Sequence, residues 1–227
     1  MKKTRSLLVV FENRITQAQL PQFRGAIIRR VGGDDMFHNH EGEGYHYRYP
    51  LVQYRVVRGR AALWAIGEGV ERVGKVIDAG ADLISIGGEE QPLRVAEVRP
   101  MQRLVQVWDG SFDYRLRGWL PLNGKNYVEY REQPSVAERV RLLERILTGN
   151  MLSMCKGLGI VVERTIECTI TWVSEAHKCH YKNVPMMSFD VVFTCNLSLP
   201  AYIGLGKGVS MGYGVCTPIY EQSIKQG

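Results

Sequence analysis

Residues 51–66, LVQYRVVRGRAALWAI, carry the clearest β-hairpin signal in the sequence. Two extended apolar runs, 51–57 and 61–66, flank the dipeptide Arg58-Gly59, and a glycine at this place allows the tight turn that joins antiparallel strands. The sequence therefore predicts two paired strands here, and the elements on either side decide which fold they belong to.

Each side of the hairpin carries one strand signal and one helix signal. Residues 7–11 and 83–86 are short apolar runs of strand length. Between each of these runs and the hairpin, apolar residues recur at helical spacing: Leu20, Phe23 and Ile27 before the hairpin, and Val70, Val73 and Ile77 after it. Pro21 marks the start of the first predicted helix, Gly32-Gly33 its end, and Gly80 the end of the second. The order β-α-β-β-α-β predicts a ferredoxin-like domain over residues 1–110.

A similar pattern begins again in residues 111–227. Runs at 115–120 and 126–130 predict strands around the turn signal Asn123-Gly124. Ser135 and Glu138 form a capping-box pattern in front of a helix, and 161–173 and 188–199 predict paired strands joined by a polar loop. A second helix is not evident, so the predicted class is α+β, with two tandem ferredoxin-like (RRM-like) domains of which the second is degenerate.

Composition limits the classes of function. The 227 residues carry a net charge of +6, and 20 of the 29 basic residues are arginine, whose planar guanidinium suits phosphate oxygens. The five cysteines are odd in number and contain no C-x-x-C pair, which argues against a disulfide framework or a zinc knuckle. The start of the chain lacks a full signal-peptide pattern and no long apolar run occurs, so we expect a cytoplasmic protein without a membrane partner.

Histidines concentrate in one segment. Residues 36–49, MFHNHEGEGYHYRY, hold His38, His40 and His46, three of the five histidines in the chain. Nearby glycines favour extended or loop backbone, in which residues i and i+2 point to the same side. Three interpretations stay open on spacing alone: general acid/base catalysis, a metal pair completed by Asp34, Asp35 or Glu41, and ordinary loop histidines.

A second constellation lies near the C-terminus. Residues 204–215, GLGKGVSMGYGV, combine closely spaced glycines with Lys207 and Ser210, so the backbone can approach a phosphate and present N–H donors beside a cation and a hydroxyl. The pattern is neither a P-loop nor a dinucleotide fingerprint. A turn between strands without a ligand is the alternative.

Together the two constellations resemble the CRISPR-associated repeat-processing endoribonucleases, which cut precursor CRISPR RNA into guide units. The glycine-rich stretch is similar to their signature loop, and Phe37-His38-Asn39-His40 with the following 47–54 run is similar to the subgroup with paired histidines in the first domain. The resemblance covers nearly the whole chain. It implies an N-terminal domain, 1–110, with the histidine site and a C-terminal domain, 111–227, with the glycine-rich loop.

The resemblance also implies a mechanism and partners. RNA would be cleaved without a metal or other cofactor, with His38 and His40 as the acid/base pair and Tyr47 and Arg48 as orienting or stabilising groups, while His46 is peripheral. Contacts to the RNA backbone would come from Gly206, Lys207, Gly208, Ser210, Gly212 and Gly214. CRISPR repeat RNA is the expected partner, and a homodimer and a CRISPR effector complex are further ones. A non-catalytic RNA-binding module of the same fold and a metal-dependent nuclease are the competing hypotheses.

Overall fold

The computed structural model describes residues 3–38, 49–78 and 83–220, which form two units, each built on one antiparallel sheet. The first unit contains, in chain order, β1 (Thr4–Arg14), α1 (Leu20–Arg30), α2 (Asp35–His38), β2 (Val52–Val57), β3 (Arg60–Ile66), α3 (Gly69–Asp78), β4 (Leu83–Ile86), β5 (Glu89–Pro92) and β6 (Val95–Arg103). The hairpin, its turn at Arg58-Gly59 and both longer helices were predicted from the sequence, and the structure confirms them.

The fourth strand of the first sheet is not the predicted one. The sheet has the order β2-β3-β1-β6, whereas β4 pairs only with β5 in a separate two-stranded sheet. The strand β6 pairs along β1 from Arg103 opposite Thr4 to Val95 opposite Phe11. Its sequence mixes charged residues with Pro100, a composition that is tolerated at a sheet edge. Such a composition lacks the apolar run that predicts a strand.

The second unit contains β7 (Val107–Trp119), α4 (Gly124–Glu132), α5 (Val136–Gly157), β8 (Cys168–Val173), β9 (His177–Tyr181), β10 (Val184–Leu197) and β11 (Val215–Pro218). Its main strands have the order β8-β10-β7-β11, which repeats the ferredoxin-like order of the first sheet. Only a short 3-10 turn, Val209–Met211, stands where the second helix of the motif would be. The predicted fold class, with a degenerate second copy, is confirmed.

Several boundaries in the second unit differ from the prediction. Residues 126–130 lie in helix α4 and not in a strand, because the Asn123 side chain caps the helix by accepting from the Asn126 N–H at 2.9 Å. The strand expected from residue 161 begins at Cys168, and the polar loop contains β9, which pairs with β10. The boundary placed between residues 110 and 111 falls inside β7, and residues 104–106 link the two sheets.

The two sheets share a hydrophobic core. Alternate residues of β1 face opposite sides: Val9 and Phe11 belong to the cluster beneath α1 and α3, whereas Leu8 and Val10 belong to a cluster that includes Tyr114 of the second unit. That larger cluster also includes buried side chains of β3, β7, α5 and β10. The two units therefore bury one face against each other, and side chains of both line the boundary.

None of the described helices is long and apolar enough to cross a membrane. All five cysteines are free thiols, three of them buried.

Candidate active site

The histidine segment begins on a short helix that is fixed to α3. Asp34 Oδ1 accepts from the Met36 N–H at 3.1 Å, and Oδ2 lies 2.9 Å from Lys75 Nζ and 3.3 Å from Arg72 Nη1. The hydrogen bond from Lys75 lowers the pKa of Asp34 against the opposing effect of burial. The carboxylate is thus engaged by the protein itself on both oxygens.

His38, the first of the predicted catalytic residues, lies at the end of this helix. Phe37 is buried, and its carbonyl oxygen accepts from the Tyr54 hydroxyl at 3.4 Å. His38 is the last residue of α2, so its backbone is helical and the extended conformation expected here is wrong for residues 35–38. The His38 side chain, and with it His40, Tyr47 and Arg48 together with Glu41 and His46, lies outside the described residues.

The segment ends against the glycine-rich loop. Tyr49, the last residue of the segment, donates its hydroxyl to the Gly204 carbonyl oxygen at 2.8 Å. A side chain at Gly157 would overlap the Tyr49 side chain, so the end of α5 supports the tyrosine closely. Loss of solvation raises the pKa of Tyr49 above its ordinary value, which keeps the phenol protonated as a donor. The structure thereby brings the two predicted constellations together.

The glycines of the loop are needed mainly for its internal packing. Gly206 has a φ of +88°, and a Cβ there would lie 2.7 Å from the indole nitrogen of Trp119. Gly212 has a φ of +79°, and a Cβ there would lie 2.8 Å from Leu20 of the first unit. Of the six residues predicted to contact RNA, Gly208 and Gly214 are buried and Gly206, Lys207, Ser210 and Gly212 are partly exposed. The partly exposed Lys207 amine and Ser210 hydroxyl are therefore the side-chain groups of this set that a ligand can reach.

Tyr213, the aromatic residue of the loop, packs against other parts of the protein. Its ring lies edge-on to Tyr181, with 5.7 Å between centroids, and its hydroxyl donates to the His180 carbonyl oxygen at 3.4 Å. The ring therefore packs between the loop and β9.

A groove of about 490 Å³ runs beside the loop between the two units. Its wall includes the arginines at positions 55, 58 and 117, together with Tyr202 and Tyr213. Arg55 lies on β2 and Arg58 in the β2–β3 turn, whereas Arg117 lies on β7, so both units contribute cations to the groove. Sequence reasoning did not single out these arginines, because only the fold brings residues so far apart in the chain to one groove.

Arg55 is the residue that sequence reasoning missed most completely. Its side chain is 1% exposed and reaches from β2 to the second unit, where Nη1 donates to the Val209 carbonyl at 2.6 Å and Nη2 to that of Tyr202 at 3.3 Å. Polar residues that alternate with apolar ones on a strand usually face solvent. The pattern of β2 therefore offers no signal that Gln53 and Arg55 are buried.

A metal centre has little support in the described parts of the chain. These parts contain no group of three histidine, cysteine, aspartate or glutamate side chains able to hold an ion. Asp34, one of the oxygen ligands considered, is already bound by Lys75 and Arg72. His177 and His180 lie on β9, where each residue pairs with β10.

Family models decide how this arrangement is classified. Residues 2–103 match the Cas6b N-terminal domain, and residues 106–219 match the Cas6b C-terminal domain. This chain belongs to the Cas6b family. The family predicted from the histidine segment and the terminal loop, one that processes CRISPR repeats, is thus confirmed.

Known proteins resemble this chain in sequence and in fold. An uncharacterised protein of Methanocaldococcus jannaschii, MJ0978, is 38% identical over 103 residues, which are 45% of this chain and 69% of that protein. A crystal structure of Cas6b matches with a TM-score of 0.86 at 23% identity, covering 96% of this chain and all of the other. A second, of the CRISPR RNA processing endoribonuclease Cas6b, matches with a TM-score of 0.75 at 22% identity over the same shares. At these identities the structures establish a common fold.

Proposed function

We propose that this chain is an endoribonuclease that binds CRISPR repeat RNA and cleaves precursor transcripts within each repeat to give guide RNAs. Membership of the Cas6b family across both domains is the observation that carries the proposal. The hydrogen bond from Tyr49 to Gly204 supports it, because it joins the histidine segment to the loop that resembles the family's RNA-binding element.

The proposed reaction is a transesterification that needs no metal. The 2′-hydroxyl beside the scissile phosphate attacks phosphorus, one neutral imidazole takes its proton, and the bond to the leaving 5′-oxygen breaks as a second, protonated imidazole supplies a proton. The products are a 2′,3′-cyclic phosphate and a 5′-hydroxyl. We assign His38 and His40 to these two roles, with Tyr47 and Arg48 orienting the phosphate or stabilising its charge. DNA lacks the attacking hydroxyl and is not a substrate.

The proposed RNA surface joins the glycine-rich loop to the interdomain groove. Lys207 and Ser210 offer a cation and a hydroxyl to the RNA backbone, and the glycines Gly206, Gly208, Gly212 and Gly214 keep the loop in the shape that presents them. Arg58 and Arg117, on the groove wall, extend the positive surface toward the first unit. Phosphates lying along this surface would place the strand next to the end of the histidine segment.

Domain roles, location and further partners complete the proposal. The N-terminal domain, predicted as residues 1–110, supplies the histidines, and the C-terminal domain, predicted as 111–227, supplies the loop. Five free thiols suit the reducing cytoplasm, where we place the protein. We also propose, from the family resemblance, a homodimer and association with a CRISPR effector complex, which sedimentation with and without repeat RNA would test.

The decisive experiment uses labelled repeat RNA from the source genome and protein in excess EDTA. A single cut per repeat ending in a cyclic phosphate is the expected result, and a 2′-deoxy substitution at the scissile position should abolish it. A cut that survives this substitution would exclude the mechanism. RNA that is bound but not cut, with the double variant His38→Ala/His40→Ala binding equally well, would establish the non-catalytic RNA-binding module instead. Activity that disappears with EDTA and returns with a divalent cation would point to the metal-dependent nuclease.

A further inference from the structure

Within the described residues, the guanidinium of Arg55 is a buried cation whose hydrogen-bond partners are all neutral. Besides the carbonyl oxygens of Val209 and Tyr202, it donates to the Tyr54 carbonyl at 3.1 Å and to the side-chain oxygen of Gln53. Burial lowers the pKa of Arg55 to about 10, since the charged form loses its hydration. A buried charge that neutral groups solvate costs stability, and these neutral groups are carbonyl and amide oxygens from both units.

Side chains of the first unit donate hydrogen bonds to four carbonyl oxygens in, or just before, the glycine-rich loop. Arg55 donates to the carbonyl oxygens of Tyr202 and Val209. Tyr49 donates to the carbonyl oxygen of Gly204, and Gln17 Nε2 donates to that of Met211 at 3.0 Å. Carbonyl oxygens carry partial negative charge and repel phosphate, whereas N–H groups attract it. These four hydrogen bonds therefore keep four carbonyl oxygens turned to the first unit and away from an anionic strand bound to the loop.

The same side chains are tied to the histidine segment. Tyr49 is the last residue of this segment, and Arg55 is the fourth residue of β2, the next strand. A displacement of the loop relative to the first unit would break the Tyr49–Gly204 and Arg55–Val209 contacts together. One group of hydrogen bonds thus sets the position of the loop relative to Tyr49, where the segment ends, and to β2.

We propose that Arg55 is a positioning residue that, together with Tyr49, fixes the glycine-rich loop relative to the histidine segment, so that RNA held by the loop is aligned for cleavage. The inference rests on the proposed endoribonuclease function and deepens it. An arrangement that served stability alone would affect folding and leave the chemical step of the folded enzyme unchanged. Alignment acts on that step, because misplacement of the reacting groups by about 1 Å can cost on the order of a hundredfold in rate.

The test compares Arg55→Lys and Tyr49→Phe with a matched control, Tyr114→Phe. Tyr114 is also a buried tyrosine whose hydroxyl is bonded to the backbone, at Leu199 N and Leu197 O, but its partners lie outside the glycine-rich stretch. For each variant we would measure the melting temperature, the Kd for uncleavable 2′-deoxy repeat RNA, and the single-turnover cleavage rate at saturating enzyme. Wild-type protein must first cleave the RNA, and failure there contradicts the proposed function and not the positioning role.

We expect Tyr49→Phe and Arg55→Lys to cleave at least about tenfold more slowly than wild type when RNA is saturating. Their Kd should change by less than about threefold, and Arg55→Gln, which also loses the charge, should be slower than Arg55→Lys. Tyr114→Phe should cleave at the wild-type rate whatever its melting temperature. Equal saturating rates for wild type, Tyr49→Phe and Tyr114→Phe would overturn the inference. If Arg55→Lys does not fold, Tyr49→Phe combined with Gln17→Ala decides the question, since Gln17 is exposed.

Discussion

Lys75 Nζ on α3 lies 2.9 Å from Asp34 Oδ2. Asp34 immediately precedes α2, the helix that ends at His38. This ion pair joins two elements of the first unit that are 41 residues apart in sequence. With Arg72 as a second cation, it fixes the start of the histidine segment independently of the contact that Tyr49 makes at its end. The segment is therefore held at two separate points, which can be tested one at a time.

Replacing Asp34 by Asn should remove both ion pairs while keeping an oxygen able to cap α2. The pKa of Asp34 is lowered in the folded protein, so its contribution to stability is present above the ordinary value of 3.8 and is lost as the pH falls through the folded-state pKa. We expect Asp34→Asn to lower the free energy of unfolding by about 1 kcal/mol or less at pH 7. Urea denaturation at pH 7 and near pH 3 measures this, and the difference from wild type should shrink at the lower pH.

Asp35 provides the control for this prediction, because it is adjacent and exposed. Asp35→Asn should leave the urea midpoint close to that of wild type at both pH values. A loss from Asp34→Asn that stays the same at low pH would contradict the ion-pair explanation.

Lys207 should contribute charge to RNA binding without contributing to the fold. We expect Lys207→Ala to weaken binding of different RNA sequences by a similar factor and to reduce the slope of log Kd against log salt by about one unit. Binding measured at four or more salt concentrations gives that slope. Lys125→Ala, on the exposed surface of α4, removes the same charge elsewhere and should leave the slope unchanged.

Gly214 should be required for folding of the loop and not for direct contact with RNA. A side chain there would overlap the Leu205 carbonyl oxygen, and the φ of +60° is unfavourable for other residues. We expect Gly214→Ala to lower the free energy of unfolding by about 3 kcal/mol. Gly110→Ala is the control, since that position on β7 has no atom within 4 Å of an added Cβ. Equal stability of the two variants in urea would show that the loop relaxes around the new methyl group.

The buried thiols should react slowly with Ellman's reagent at pH 8. Burial raises the pKa of Cys155 to about 11, those of Cys195 and the partly buried Cys168 to about 12, and that of Cys216 well above its ordinary value, so almost none of these thiols is ionised at that pH. We expect Cys179, partly exposed on β9, to react first in the native protein and all five thiols to react in denaturant. A rapid reaction of several thiols in native protein would contradict the burial.

Local patterns were sufficient for most of the first domain. The helical spacing of Leu20, Phe23 and Ile27 and the hairpin around Arg58-Gly59 depend on neighbours in the sequence, and the structure has both elements. Strand pairing depends on distant residues instead. The apolar run at 83–86 was therefore assigned to the sheet that β6 completes, and Asn123 was interpreted as a turn when its side chain caps a helix.

The same difference between local and long-range features decides which parts of the candidate site could be predicted from the sequence. Its two constellations were visible as clustered histidines and glycines, which are local features. Their contact through Tyr49 and Gly204, and the burial of Arg55 beneath the loop, depend on residues about 150 positions apart. A polar residue on a strand gives no sign in the sequence that a second domain will cover it.

The core shared by Leu8, Val10 and Trp64 with Tyr114 and Phe193 has a consequence for synthesis on the ribosome. The first sheet is complete once Arg103 has emerged, yet the strand that supplies Phe193 ends only at Leu197. Until then, one apolar surface of the newly made half stays in contact with water or with a chaperone. The nascent protein is therefore most prone to aggregation when it is about half made, and slow translation of its second half would prolong that interval.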